Sequence, residues 1–160
     1  MLKKLISHPV ELVLQQAVHA ELYTSHLYKH IANQCQRLGL FGAAKWFQKE
    51  SADELEHYQK LADYLNDMGC VAEMPSLEAC DESVKSLQDA LELAYDAEVT
   101  LGKRYGKWFD QVDPMTKQLF MFYLDKQTKS VGEYGDWLSR LALAGKDECA
   151  VLIIDKELGA

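Results

Sequence analysis

Long stretches with apolar residues at helical spacing, and almost nothing to break them, decide what this chain can fold into. From Pro9 to about Arg37 the stripe runs through Val10, Val13, Leu14, Ala17, Val18, Ile31 and Ala32, the period of a helix burying one face. Pro9 suits a first helical turn, where its missing N–H costs nothing. Leu38-Gly39-Leu40-Phe41-Gly42 reads as a short turn, so the next helix returns antiparallel. That helix runs from about Phe41 to Met68 with Phe47, Leu61 and Leu65 on its inner line, and Gly69 stands where a C-cap belongs. Residues 69–82 hold Pro75 and little periodicity. A connection of that length can run the height of a bundle and make the third helix parallel to the second. The third helix spans about Ser83 to Phe109, with Leu87, Leu91, Ala94, Leu101 and Tyr105 inward. Asp113-Pro114 is a cap and first-turn proline for a fourth helix ending near Ala144, striped by Phe120, Tyr123, Leu124, Val131, Tyr134, Leu138 and Leu141. Gly145 ends it, and Asp147 caps a short apolar helix from Cys149 to Leu158. The expected fold is all-α: one domain over residues 1–160, a four-helix bundle with a long crossover between the second and third helices and a short fifth helix.

Each of the four long stripes is interrupted near its middle by polar groups: Glu21 with Tyr28, then Glu54 with His57, then Glu98, then Gln127. A carboxylate on a buried face is expensive unless it is neutralised, paired or bound to a cation. Glu54 and His57 are three apart, so both side chains project from one helix face and their donors converge without bending the backbone. Taken alone, Glu-x-x-His mostly marks a solvated face, and a lone inward Glu mostly marks a satisfied hydrogen bond. One interruption at mid-height on every helix is a pattern that those explanations do not produce together. Three carboxylates and an imidazole are hard donors that suit iron or manganese, and fit poorly with structural zinc or soft copper. Two cations sharing Glu54 as a bridge would offset the carboxylates' repulsion and could deliver two electrons to dioxygen. Gln127, being neutral, is placed to orient a water or a second metal ion, and Tyr28 to donate a hydrogen bond or an electron. Glu50, one turn before Glu54, is a transient cation position or plain surface charge.

Other classes are excluded by composition. A net charge of -8 and a pI near 5.1 do not provide the basic surface that a phosphate backbone requires. No apolar run reaches the roughly eighteen residues of a membrane span. The opening Met1-Leu2-Lys3-Lys4-Leu5-Ile6 breaks at Ser7-His8-Pro9, too soon for a signal peptide's apolar region. Cys35, Cys70, Cys80 and Cys149 are scattered with no Cys-x-x-Cys pair, which argues against zinc fingers and rubredoxin-type iron and for free thiols in a cytoplasmic setting.

Taken together these stretches resemble ferritin of the non-haem bacterial type. Glu21-Leu-Tyr-Thr-Ser-His-Leu-Tyr28 is similar to the family's first-helix signature, Ser51-Ala-Asp-Glu54-Leu-Glu-His57 to its second and Tyr123-Leu-Asp-Lys-Gln127 to its fourth. The ending, Leu141-Ala-Leu-Ala-Gly145-Lys followed by Ile154-Asp-Lys-Glu-Leu158, is similar to bacterial ferritins. The resemblance implies a di-iron ferroxidase centre in which Glu21, Glu54 and His57 hold the first iron and Glu54 and Glu98 the second, with Gln127 beside it and Tyr28 adjacent. It implies ferrous iron and dioxygen (or peroxide) as reactants, no haem, and a homo-oligomeric shell of twenty-four subunits in which ferric oxyhydroxide is stored. The alternative on the same helical pattern is a slow or non-catalytic shell subunit that binds iron.

The sequence also departs from the family's pattern. Bacterial ferritins commonly add a third iron site with carboxylates on the fourth helix. Here Asp53 keeps one acidic group while Lys126, Lys129 and Ser130 stand in the fourth-helix places, which puts that site in doubt. Lys117 and Phe120 occupy the positions of the acidic three-fold channel of the animal proteins. Asp53, Glu56 and Gln59 match positions that line the inner cavity, as a nucleation surface or as an ordinary solvated face. Bacterioferritin would need a histidine on the fourth helix, and rubrerythrin a Cys-x-x-Cys module; neither is present. The DNA-protecting mini-ferritins place iron between subunits and often carry a basic tail, features this sequence also lacks.

Overall fold

The computed structural model describes residues 3–160 and forms five helices: α1 His8–Leu38, α2 Phe41–Asp67, α3 Leu87–Phe109, α4 Pro114–Ala144 and α5 Glu148–Leu158, with no strand among the described residues. Four of them begin on a side chain of their own. Ser7, Ser86, Asp113 and Asp147 each accept a backbone N–H of the first turn, satisfying donors that the helix itself leaves free. Helix α2 begins at Leu40 without a side-chain cap. Its cap comes from α5: Asp155 Oδ2 accepts from Gly42 N at 3.0 Å and Oδ1 from Ala43 N at 2.8 Å, placing a carboxylate at the positive end of the helix dipole. The approach is close enough that a Cβ on Gly42 would lie 1.7 Å from the Asp155 carbonyl oxygen.

The segment between α2 and α3 is the expected crossover. It leaves α2 through Gly69 in the left-handed region (φ 77°). Near its start, Gln15 of α1 donates to Val71 O at 2.7 Å and accepts from Glu73 N at 3.1 Å. Near its end, Gln34 of α1 donates to Glu82 O at 3.0 Å and accepts from Val84 N at 2.8 Å. Gln15 and Gln34 are about 28 Å apart along the helix at 1.5 Å per residue, so the crossover travels the length of α1 and delivers α3 parallel to α2. Those bonds also engage the backbone at Glu82 and Val84, and residues 83–85 are not helical. The third helix therefore starts at Leu87 behind Ser86, rather than at Ser83 as its periodicity suggests.

The core forms two apolar clusters. One contains Ile31, Phe47, Leu91 and Tyr134; the other contains Leu14, Leu61, Tyr105 and Phe120. Along every long helix the lining passes from one cluster to the other near the polar interruptions, and Glu21, Glu54, Glu98 and Gln127 are buried at that level. Phe120 is fully buried against Tyr105. No described helix is long and apolar enough to cross a membrane, and the four cysteines are free.

Because the α2 cap comes from α5, the two should fail together. Asp155→Ala is expected to cost about 1 kcal/mol of stability through the lost cap. Gly42→Ala, which drives a methyl group into backbone, is expected to cost about 2–3 kcal/mol and to expose the amides of 149–158 to hydrogen exchange while helix content barely changes. Unaltered protection of α5 in Gly42→Ala would refute the shared cap.

Candidate metal centre

Four helices each bring one part of the polar layer, because each carries its polar residue on an otherwise apolar stripe. Glu21 of α1 and Glu54 of α2 converge on His57 of α2: His57 Nδ1 lies 3.1 Å from Glu54 Oε2 and 3.7 Å from Glu21 Oε2. One donor atom from each of the three sits within 4.8 Å of the others, a spacing that a single cation can span. Helices α3 and α4 supply the neighbouring half. Glu98 accepts a short hydrogen bond from the Tyr28 hydroxyl on Oε1 and a 2.8 Å bond from Gln127 Nε2 on Oε2. All six residues expected from the sequence thus lie in one layer, Glu98 with its Tyr28 and Gln127 partners standing beside the Glu21–Glu54–His57 group.

Two further residues belong to the layer although their sequence context marks them only as core. Tyr105 donates a short hydrogen bond to Glu21 Oε1. Tyr123 donates to the His57 carbonyl oxygen at 2.6 Å. The available signal is that a buried tyrosine hydroxyl requires a partner, and Tyr105 follows Glu98 by seven residues on the same helix face.

Electrostatics make the layer costly as it stands. Glu21, Glu54 and Glu98 are 1%, 3% and 0% exposed, and among the described residues the one basic side chain paired with any of them is His57. Burial first, then the hydrogen bond with Glu21 and its charge, hold the Glu54 carboxyl well above the usual carboxylate range. Glu21 is drawn the other way: its burial is outweighed by the neighbouring Glu54 and His57 side chains and by the Tyr105 hydroxyl, and its carboxyl lies below the ordinary value. Glu98 is pushed up to about 7, mainly by burial against the opposing Tyr28 bond. Glu21 Oε2 is one of two buried side-chain oxygens with no hydrogen-bond partner among the described residues; the other, Glu82 Oε2, belongs to a half-buried side chain in the crossover. Hard oxygen and nitrogen donors, excess negative charge and an unmet acceptor all fit a divalent cation of the iron or manganese kind.

A cleft of about 530 Å³ between α2 and α4 opens onto Glu54 and His57 past Glu50, Lys126, Lys129 and Glu133. Burial and the charges of Asp53 and Glu133 push Glu50 up to about 7. The two lysines add no ligand: Lys129 pairs with Asp125 at 3.0 Å and Lys126 lies over the Phe122 ring. Asp53 pairs with Lys49 at 3.1 Å and the Gln59 amide donates to Asp63, while Glu56 is exposed.

Stability should therefore depend on pH in a particular sense. Glu50, Glu54 and Glu98 all sit above the ordinary value of 4.5, so through that window the folded chain binds more protons than the unfolded one. All three contributions are fully present below 4.5; those of Glu50 and Glu98 are lost as the pH rises through about 7, and that of Glu54 as the pH rises through its own raised range. Glu21, shifted down, loses its contribution only below 4.5. The metal-free protein is expected to melt lower at about pH 7.5 than at about pH 5.5, with a flatter profile in Glu54→Gln. A wild-type profile that rises across that window would contradict this balance of charge.

Known proteins resemble this chain in sequence, and solved structures resemble it in fold. The sequence profile of the ferritin-like domain matches residues 11–144. A probable bacterial non-heme ferritin-like protein of Haemophilus influenzae is 29% identical over 159 residues, 97% of this chain and 96% of that protein. The bacterial non-heme ferritin of Escherichia coli is 26% identical, covering 91% of this chain and 90% of its own. Among solved structures, an open pore ferritin from Archaeoglobus fulgidus superposes with a TM-score of 0.89 at 26% identity over 98% of each chain. With the profile spanning most of its length and a four-helix bundle of matching topology, this chain belongs to the ferritin family.

Proposed function

We propose that the protein stores iron, oxidising ferrous iron with dioxygen at the buried polar layer and passing the ferric product to a mineral of ferric oxyhydroxide. The observation that carries this reading is the convergence of Glu21, Glu54 and His57 around an unmet carboxylate oxygen, with Glu98 alongside. Iron is the substrate. A first ferrous ion takes Glu21 Oε2, Glu54 and His57, and displaces any proton on the raised Glu54 carboxyl. Glu98 joins a second ion through the remaining lone pairs of its oxygens, each of which accepts a side-chain hydrogen bond, from Tyr28 on one and Gln127 on the other. Two ferrous ions held together give up one electron each. Dioxygen accepts the pair with two protons and leaves as hydrogen peroxide, so that the step balances without an outside reductant. Hydrolysis of the ferric ions then releases protons and favours their departure as mineral.

Supporting the shell are large apolar side chains that a lone subunit leaves in water: Leu143 is 89%, Val71 73%, Met74 70% and Phe41 62% exposed. Such surface is normally covered by a partner. We propose a homo-oligomer, a hollow shell of twenty-four copies, in the cytoplasm, with each chain one domain. Lys126, Lys129 and Ser130 in place of fourth-helix carboxylates leave two iron positions, without a third of the usual form.

Glu54→Ala or His57→Ala is expected to slow the first phase of ferrous oxidation by roughly tenfold or more, read as stopped-flow absorbance after two ferrous ions per subunit, with the oligomer unchanged by light scattering. Oxidation at the wild-type rate in both variants would overturn the proposal.

A further inference from the structure

We propose that Tyr105 is a positioning residue that restricts Glu21 to a single-oxygen grip on the metal ion; this rests on the metal-centre reading of the polar layer. Tyr105 is fully buried on α3 and its hydroxyl donates to Glu21 Oε1. The carboxylate's other oxygen is the one without a partner, and it faces His57 Nδ1 at 3.7 Å. One oxygen is thus tied to a phenol and the other is presented, alone, to the space where Glu54 Oε2 also points. A carboxylate held in this way does not swing to chelate a cation with both oxygens unless it breaks a charge-assisted bond in a dry site.

The phenol has little freedom of its own. Its ring stacks on Tyr123 at 4.9 Å and 10°, and meets the rings of Trp108 at 5.2 Å and Phe120 at 5.4 Å nearly edge-on. Tyr123 in turn donates to the His57 backbone carbonyl. The stacked pair therefore ties the Glu21 side chain on α1 and the His57 backbone on α2 to two rings in face-to-face contact. A phenylalanine at 105 would fill the same ring volume and a leucine part of it, but neither would bond Glu21. Partners of this kind set the orientation and affinity of metal ligands.

The test uses cobalt(II), which reports coordination in its visible bands without being turned over, and zinc(II) for infrared difference spectra of the carboxylates. Tyr105→Phe in the assembled protein is expected to bind the first cobalt ion about tenfold more weakly and to shift the cobalt bands. The separation between the asymmetric and symmetric carboxylate stretches should narrow as Glu21 becomes chelating. Tyr64→Phe, which removes a hydroxyl bonded to Thr116 at 2.9 Å, should do none of these. Tyr105→Leu repeats the comparison if the Phe variant does not assemble. Unchanged cobalt bands and carboxylate splitting in the Tyr105 variants, or equal changes in Tyr64→Phe, overturn the role of Tyr105 alone. A wild-type protein that gives no cobalt bands overturns the metal-centre reading and this inference with it.

Discussion

Three carboxyl groups taken out of water at one level of a helical bundle are the constraint that the rest of the structure answers to. Their desolvation opposes folding, and the single imidazole among them offsets only part of it. What makes the level tolerable is the amount of apolar packing on either side. The cluster around Phe47 and Tyr134 and the cluster around Leu61 and Phe120 each span all four long helices, so the helices must extend well past the polar layer in both directions. That requirement explains helices of 31 residues at α1 and α4, more than twice the length that is usual in globular proteins. The same flanking clusters keep the layer dry, which strengthens every interaction within it.

Tyrosines are the boundary between these two regimes. Tyr28, Tyr105 and Tyr123 bury their rings in the apolar clusters and send their hydroxyls to Glu98, Glu21 and the His57 carbonyl. A phenol suits the task because it fills core volume like phenylalanine while offering one donor at a fixed distance from the backbone. Charge spreads from the carboxylates into these donors, so the layer holds its negative groups at lower cost than carboxylates in a purely aliphatic core. Burial keeps the phenols protonated, the Tyr28 and Tyr105 hydroxyls lying well above their usual range, and they act as donors throughout.

What the sequence reveals and what it conceals divide by range of interaction. Helix ends at Ser7, Asp113 and Asp147 are local events, legible from a cap and the residues that follow it. Glu21, Glu54, His57, Glu98 and Gln127 stand out because each is polar where its own helix is apolar, again a local contrast. The start of α3 is not legible in this way because Gln34, some fifty residues upstream in the chain, competes for the backbone of Val84. The cap on α2 is invisible because Asp155 lies 113 residues beyond Gly42. Tyr105 reads as core because nothing local says that its hydroxyl meets a carboxylate 84 residues away. Periodicity reports which face is buried; it does not report what each buried polar atom will find there.

The fourth helix shows how finely the charge of the layer is set. It contributes a neutral amide, Gln127, while its lysines turn outward to Asp125 and the Phe122 ring. The amide donates to Glu98 and so lowers the cost of burying that carboxylate without adding charge. A glutamate in its place would bring a fourth negative group into a layer with one imidazole to balance it, and like charges held so close cannot all ionise. The fourth carboxyl would hold a proton. With an amide there instead, the layer keeps three carboxyl groups and meets the remaining hydrogen-bonding demand with a group that does not ionise.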